Sequence, residues 1–359
     1  MKKVIFFLPT LNGGGAERVT VNLINKLSSN FDNLDIHLLL LRKEGVFLSN
    51  LNAEINVTDL NSKRTIYSFF KIIKFIKKEK PDYFVSSLNY LNVVSLIIKR
   101  ITNTHTKFFV TEHSTISQRL NNLSGLGVLV PFLMKKLYNS ADHIICVSEG
   151  IKIDLLSTLK IRNEKISVIY NFIDFEKINK LKALEVQHHF FKSGFPVIIS
   201  VGRLIYEKNF DLLIDAFLEV RSKTKCKLII LGEGPFKNIL KNKISGSRFN
   251  EDIDLVGFQN NPYAWMNKAD LFVLSSRTEG LPTVLIEAMA VGCQVISTDC
   301  PSGPSEIISN TEGLLVKNLD IDDMVEKINL CLESREKIKY DLSKFNIDSI
   351  SSKYLKLFY

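Results

Sequence analysis

Apolar residues along the chain fall into short β-branched or aromatic runs, separated by stretches where they recur every three or four positions. The runs predict strands at 3–8, 35–41, 83–87, 108–111, 142–147 and 167–170 in the first half. In the second half they predict strands at 196–201, 227–231, 253–257, 270–274, 293–298 and 314–316. The three-and-four spacing predicts helices between most of them, for example over 16–28 and 209–222. Nearly continuous apolar strands alternating with helices signal parallel sheets covered on both faces. Two sets of about six strands therefore predict an α/β protein of two doubly wound, parallel-sheet domains. A polar, charged stretch over 171–192 marks the join. The expected division is 1–172, 173–340 and a helical tail, 341–359, beyond the last strand.

Length and composition agree with this outline. The chain has 359 residues, 45% hydrophobic and 24% charged, as in a folded soluble protein of two domains. Disorder, collagen-like sequence and coiled coil are excluded. The net charge of +9 invites nucleic acid or an anionic membrane surface as partner. Its location is informative: residues 1–180 carry +10 and residues 181–359 carry −1. The basic excess belongs to the first half alone.

Cys146, Cys226, Cys293, Cys300 and Cys331 form no C-x-x-C pair, which fits reduced thiols in a cytosolic protein. The opening Met1-Lys2-Lys3-Val4-Ile5-Phe6-Phe7-Leu8 imitates a signal peptide, yet its apolar part is short and ends at Pro9. It reads as a first strand. No apolar stretch is long enough for a transmembrane helix.

Ligands of open parallel sheets bind at the carboxyl ends of strands, so the residues just after each strand carry the candidate chemistry. After the first strand comes Pro9-Thr10-Leu11-Asn12-Gly13-Gly14-Gly15-Ala16-Glu17-Arg18. Glycines at a helix start let an anion approach backbone N–H groups, although a tight turn alone would also call for them. The dinucleotide G-x-G-x-x-G spacing is absent, and the second strand ends in Arg42-Lys43, not in an acidic ribose ligand. The strand at 196–201 leads into Gly202-Arg203, with Lys208 five residues on. Two cations so spaced can converge on one diphosphate.

The most specific stretch runs Ser275-Ser276-Arg277-Thr278-Glu279-Gly280-Leu281-Pro282-Thr283-Val284-Leu285-Ile286-Glu287. Gly280 permits a bend, Pro282 suits the first turn of a helix, and the N–H groups of Thr283 and Val284 then face an anion. Glu279 lies on the loop and Glu287 on the helix, two carboxylates for hydroxyl groups flanking a phosphate seat. That combination suits a nucleotide-sugar. A second turn, Thr298-Asp299-Cys300-Pro301-Ser302-Gly303-Pro304-Ser305-Glu306, leads to a helix start at Ser305. His113 follows the strand at 108–111 and is the one histidine placed to act; His37, His105, His143, His188 and His189 read as structural.

No metal chemistry is expected. The D-x-D of Asp252 and Asp254 precedes a strand and reads as a solvated face, and Asp320 to Asp323 reads as helix capping. No Cys/His cluster has ligand spacing, and no nucleophile elbow or Walker loop appears.

These residues bring a family into view. The stretch T-E-G-L-P-T-V-L-I-E-A-M-A, with V-G-R-L, E-K-N, L-G-E-G-P and the opening N-G-G-G-A-E-R, resembles glycosyltransferase family 4, the "group 1" set of retaining enzymes. The resemblance covers essentially the whole chain. Cys300-Pro301-Ser302-Gly303-Pro304-Ser305-Glu306 looks like the branch that builds bacterial capsule, O-antigen and lipid-linked oligosaccharides. It stands where most of the family has a glycine-pair turn.

The resemblance implies the GT-B fold, two Rossmann-like domains facing across a cleft, with the last helix crossing back to the first. It implies that Arg203 and Lys208 hold the donor diphosphate, that Glu279 contacts the transferred sugar, and that Glu287 holds the ribose. Gly14 and Gly15 would close over the phosphates, His113 would sit near the reacting centre, and Gly257, Phe258 and Gln259 near the base. Gly202, Gly280, Leu281, Pro282, Thr283 and Val284 complete the donor-binding set. Arg203, Lys208 and a helix end can stabilise the departing diphosphate without a divalent cation.

Two basic stretches remain for the acceptor side. Residues 65–80 predict an amphipathic helix rich in Lys and Phe, and 119–138 predicts a surface element including Leu126, Gly127 and Val128. Together they suggest contact with the cytoplasmic leaflet, although a core-facing helix with a charged back would look alike over 65–80. Nucleic-acid modules are absent. The expected protein is a cytoplasmic, peripherally membrane-bound, metal-independent transferase. It would move a hexose or N-acetylhexosamine from a UDP-sugar to a lipid-linked saccharide; a GDP-sugar donor or an epimerase on the same fold is the alternative.

Overall fold

The computed structural model describes residues 1–63, 65–120, 129–334 and 336–359. They fold as two compact α/β units, Met1–Phe172 with Ile347–Tyr359, and Ile173–Asn346.

The first unit holds a seven-stranded parallel sheet. Its strands are β1 (Lys2–Leu8), β2 (Leu34–Leu40), β3 (Asn56–Asp59), β4 (Tyr83–Ser87), β5 (Lys107–Glu112), β6 (His143–Cys146) and β7 (Ile166–Val168). Their order is β3-β2-β1-β4-β5-β6-β7. The apolar pattern predicts six strands and misses β3. Val57 is its one aliphatic residue, and an edge strand with exposed Asn56 and Asp59 gives no apolar run.

The second unit holds a six-stranded parallel sheet. Its strands are β8 (Val197–Val201), β9 (Lys227–Leu231), β10 (Ile253–Gly257), β11 (Leu271–Leu274), β12 (Gln294–Thr298) and β13 (Leu314–Val316), in the order β10-β9-β8-β11-β12-β13. In both sheets the chain builds outward in one direction, then reverses, leaving switch points between β1 and β4 and between β8 and β11.

Central strands such as Val4–Leu8 and Leu271–Leu274 are buried, as sheets covered on both faces require. The helix Ile347–Leu357 packs into the first unit's core through Ile350, Tyr354 and the following Phe358. Tyr83 donates its hydroxyl to the Phe358 carbonyl at 2.7 Å, and the Phe358 ring stacks on Phe109. The six residues before that helix stay with the second unit, where Ile173 N–H donates to Phe345 O at 3.0 Å.

The solvated D-x-D face is corrected by the structure. Asp252 is buried and accepts from Arg221 Nε at 2.6 Å and from Lys227 Nζ, while Asp254 meets His188 Nε2 at 3.0 Å. Burial alone would raise the Asp252 pKa, but the Lys227 and Arg221 cations outweigh it and hold the carboxyl pKa below the usual carboxylate range. Asp320 does cap its helix, accepting from Asp323 N–H at 2.9 Å.

Candidate functional site in the nucleotide-sugar pattern

Because β8 and β11 are neighbours, the loops that leave them emerge side by side at the switch point. The row of strand ends at β8, β9 and β10 is built from glycines. Gly202 N–H donates to Leu231 O at 3.0 Å and Gly232 N–H to Gly257 O at 2.9 Å. A Cβ on Gly232, at φ 150°, would fall 1.8 Å from the Gly202 carbonyl oxygen. Only glycine lets these loops lie so close. Phe258 follows on the exposed end of β10, with Gln259 half-buried beside it.

The loop after β8 presents two cations in different states. Arg203 is exposed and, among the described residues, makes no ion pair. Lys208 lies with its stem along Gly202, and its Nζ pairs with Glu279 Oε1 at 2.5 Å. Ser276 Oγ donates to the same oxygen at 2.6 Å. Thus Lys208 and Glu279, 71 positions apart, are in direct contact.

Backbone ties fix both loops. Ser275 Oγ donates to Lys208 O at 3.0 Å, Thr298 Oγ1 to Ser276 O at 2.6 Å, and Arg277 N–H to Glu207 O at 2.8 Å. The Arg277 guanidinium donates to Asn209 Oδ1 at 2.7 Å and lies over the Tyr206 ring. Asn209 occupies the left-handed region, φ 50°, where asparagine is among the better tolerated residues.

The turn after β12 supports the next segment. Ser302 Oγ donates to Gly280 O at 2.8 Å, and Gly303, at φ 93°, packs where a Cβ would sit 2.7 Å from that same oxygen. This tie holds Gly280, Leu281 and Pro282, all buried, at the start of the helix Thr283–Ala290. Sequence places Pro282 in the first helical turn, but it stands at the cap position. Its extended ψ of 98° leaves its carbonyl to accept from Leu285 N–H at 3.1 Å. The second helix, by contrast, starts one residue earlier than expected, at Pro304, since proline fits a first turn. Glu287 is buried and accepts from Tyr263 Oη at 3.4 Å.

In the first unit, Gly14 caps the helix Gly15–Asn30 with extended backbone, and the Glu17 carboxylate folds back over it. A Cβ on Gly14 would lie 1.9 Å from Glu17 Oε2, whereas one on Gly15 would meet nothing within 4 Å. His113 follows β5. Its Nε2 is shielded from solvent and, among the described residues, has no hydrogen-bond partner. Burial pushes the imidazole pKa down to about 4, so the ring is neutral near pH 7. It lines a small depression with Thr20, Ser87, Thr111 and Tyr354. On the preceding residue, Glu112 is buried in a polar network that accepts from Tyr138 Oη and from Asn92 Nδ2 at 2.8 Å.

Sequence reasoning passed over Ser276, Arg277 and Asn209, which orient the selected residues, as well as Ser302 and Glu112. Ser276 and Arg277 lie inside the selected stretch, but their roles depend on partners that spacing does not reveal. Among the described residues, no group of three or more His, Cys, Asp or Glu is placed to hold a metal ion.

Two parallel-sheet units of this kind in one chain, each with loops at a switch point, are the architecture of GT-B glycosyltransferases, and similarities to known proteins agree. The family model for glycosyl transferases group 1 matches residues 182–344, and that for glycosyltransferase family 4 matches residues 13–177. The chain is 35% identical over 345 residues to a Campylobacter jejuni enzyme, spanning 93% of this chain and 91% of that one. That relative is named N-acetylgalactosamine-N,N'-diacetylbacillosaminyl-diphospho-undecaprenol 4-alpha-N-acetylgalactosaminyltransferase. This chain is also 27% identical over 314 residues to the capsular polysaccharide biosynthesis glycosyltransferase CapM of Staphylococcus aureus, covering 82% of this chain and 80% of that one. The Anabaena HepE structure in complex with UDP superposes with a TM-score of 0.78 at 20% identity, covering 99% of both chains. This protein therefore belongs to glycosyltransferase family 4, group 1.

Proposed function

We propose that this enzyme moves a hexose or N-acetylhexosamine from a UDP-sugar to a lipid-linked saccharide, with retention of anomeric configuration and without a metal ion. The observation that carries this reading is the pairing of Lys208 with Glu279, beside exposed Arg203 and a helix start whose cap residue, Pro282, makes no side-chain hydrogen bond. In this reading Arg203, Lys208 and the first N–H groups of the helix Thr283–Ala290 take the diphosphate. Glu279 takes a hydroxyl of the transferred sugar, and Glu287 lies toward the ribose. Phe258 and Gln259 line the base, while Gly14, Gly15 and His113 are the first unit's candidates for phosphate binding and for the reacting centre.

The reaction breaks the C1–O bond to the diphosphate, whose oxygen keeps the electron pair. The acceptor hydroxyl oxygen bonds C1 on the same face and its proton passes to the leaving phosphate. Cations and helix dipoles stabilise the growing negative charge. The Campylobacter relative's name specifies an N-acetylgalactosaminyl transfer to a diphospho-undecaprenol carrier, which favours an N-acetylhexosamine donor and a polyprenyl-diphosphate acceptor here.

A membrane-bearing acceptor agrees with one surface of the first unit. On the helix Thr65–Glu79, Ile72 and Ile76 face the core while Tyr67 and Phe70 project outward among Lys71, Lys74, Lys77 and Lys78. On the helix Leu129–Leu137, Leu129 and Phe132 are exposed beside Lys135 and Lys136. Leu126, Gly127 and Val128 lie outside the described residues. Among the described residues no helix is long and apolar enough to cross a membrane. Exposed aromatics among lysines suit the headgroup region of an anionic leaflet, so we place the enzyme peripherally on the cytoplasmic face.

The test is transfer from a panel of UDP- and GDP-sugars to polyprenyl-diphosphate saccharides, with and without excess EDTA. Transfer from a UDP-sugar that survives EDTA supports the reading. A requirement for GDP-sugar, loss of activity in EDTA, or epimerised donor without transfer defeats the corresponding part. Sedimentation with phosphatidylglycerol but not phosphatidylcholine vesicles tests the membrane contact.

A further inference from the structure

We infer that Glu279, through its hold on Lys208, makes the site discriminate against the spent nucleoside diphosphate in favour of the intact nucleotide-sugar. The inference rests on the donor reading above and extends it to product release.

The two cations beside the diphosphate seat are not equivalent. Arg203 is exposed, and among the described residues it has no ion partner. Lys208 is committed: its Nζ lies 2.5 Å from Glu279 Oε1, and the two side chains are only 19% and 12% exposed. The surroundings confine exchange to the side-chain tips. The Lys208 stem runs along Gly202, and its carbonyl accepts from Ser275 Oγ at 3.0 Å. The loop bearing Glu279 is tied at Ser276 O by Thr298 and at Gly280 O by Ser302. Neither backbone is arranged to follow an incoming phosphate.

A phosphate that recruits Lys208 must therefore take it from a carboxylate already largely removed from water. With a nucleotide-sugar, hydroxyls of the sugar replace the ammonium on Glu279, and the carboxylate stays satisfied. With the diphosphate alone nothing replaces it, and among the described residues Glu279 keeps only the Ser276 hydroxyl at 2.6 Å. The released diphosphate carries more negative charge than its sugar ester and would otherwise be held the more tightly. The Lys208–Glu279 pair opposes that trend and favours product departure.

Isothermal titration of the full chain with UDP, and separately with UDP-N-acetylglucosamine and UDP-N-acetylgalactosamine in the absence of acceptor, tests this. Glu279→Gln should bind UDP about tenfold more tightly than the native chain, with a smaller gain for the sugar nucleotides. Removing a carboxylate would also relieve simple charge repulsion, so the same substitution is repeated in a Lys208→Met background. There the tightening should vanish.

Unchanged or weaker UDP binding by Glu279→Gln overturns the inference, as does tightening that persists undiminished without Lys208. If the Gln variant unfolds, Glu279→Ala is scored in the same way. A native chain that binds GDP and not UDP is titrated with GDP and its sugars under the same criteria. One that binds neither nucleotide defeats the donor reading, and this inference falls with it.

Discussion

The Arg277 guanidinium reaches across to Asn209, 68 positions earlier in the chain, and donates to its side-chain oxygen at 2.7 Å. The contact joins the two loops that carry Lys208 and Glu279, and it holds Asn209 in its left-handed conformation. A charge-assisted hydrogen bond of this kind contributes about 1–3 kcal/mol. Arg277→Ala should lower kcat/KM roughly tenfold with a larger effect on kcat than on KM, while Arg277→Lys restores part of the loss. Steady-state kinetics on the three proteins decide; equal losses in both variants with kcat unchanged would remove Arg277 from the positioning role.

Gly15 and Gly232 allow a test that separates folding from ligand approach. A Cβ at Gly15 meets nothing, whereas one at Gly232 would strike the Gly202 carbonyl at 1.8 Å. Gly15→Ala should fold with an unchanged or slightly raised Tm and yet lose donor affinity, if phosphate comes close to that backbone. Gly232→Ala should lower Tm by several degrees or fail to fold. Normal donor affinity in Gly15→Ala would restrict that glycine to turn geometry.

His113 makes stability depend on mildly acidic pH. Folded, its imidazole stays neutral down to about pH 4 because it is buried; unfolded, it takes a proton near its ordinary 6.5. The unfolded state thus binds more protons in between, and the native state loses stability as pH falls from about 6.5 toward 4, on the order of 3 kcal/mol at the limit. His37 and His143 are also shifted down by burial and act in the same direction. Urea denaturation at pH 7 and pH 5 should show a smaller difference for His113→Asn than for the native chain. An identical difference in both would mean that the ring titrates as in water.

Phe358 is fully buried between Tyr83 and Phe109. Its replacement by alanine should cost about 3–5 kcal/mol. The loss should appear in unfolding of the first unit, followed by hydrogen exchange in β4 and β5, and leave β8 to β13 protected. Uniform loss of protection across both sheets would show instead that the two units unfold together.

Twelve strands were readable because most are short β-branched or aromatic runs, set apart by their length and composition from the longer helical patterns between them. β3 escaped because Val57 is the one aliphatic residue among Asn56, Thr58 and Asp59, so no apolar run marks it. The nucleotide-sugar pattern was legible where a loop's own residues carry it, as in Glu279-Gly280-Leu281-Pro282. What sequence did not reveal is pairing across loops: Lys208 with Glu279, Arg277 with Asn209, Ser302 with the Gly280 carbonyl. Asp252 shows the same blindness. Read beside its neighbours it resembled a solvated acid, and only the fold brings Arg221 and Lys227 to it.

Ile173 and Asn346 form a parallel bridge, so the second unit begins and ends at one point. In genetic terms it is an insertion inside the coding sequence of the first. A single uninterrupted reading frame, 173–346, should encode the second unit by itself. The flanking pieces, rejoined by a short linker between Phe172 and Ile347, should encode the rest. Such a unit can be exchanged between relatives with two junctions, and under the function proposed above the exchange should carry donor preference with residues 173–346 and leave acceptor preference with the first unit.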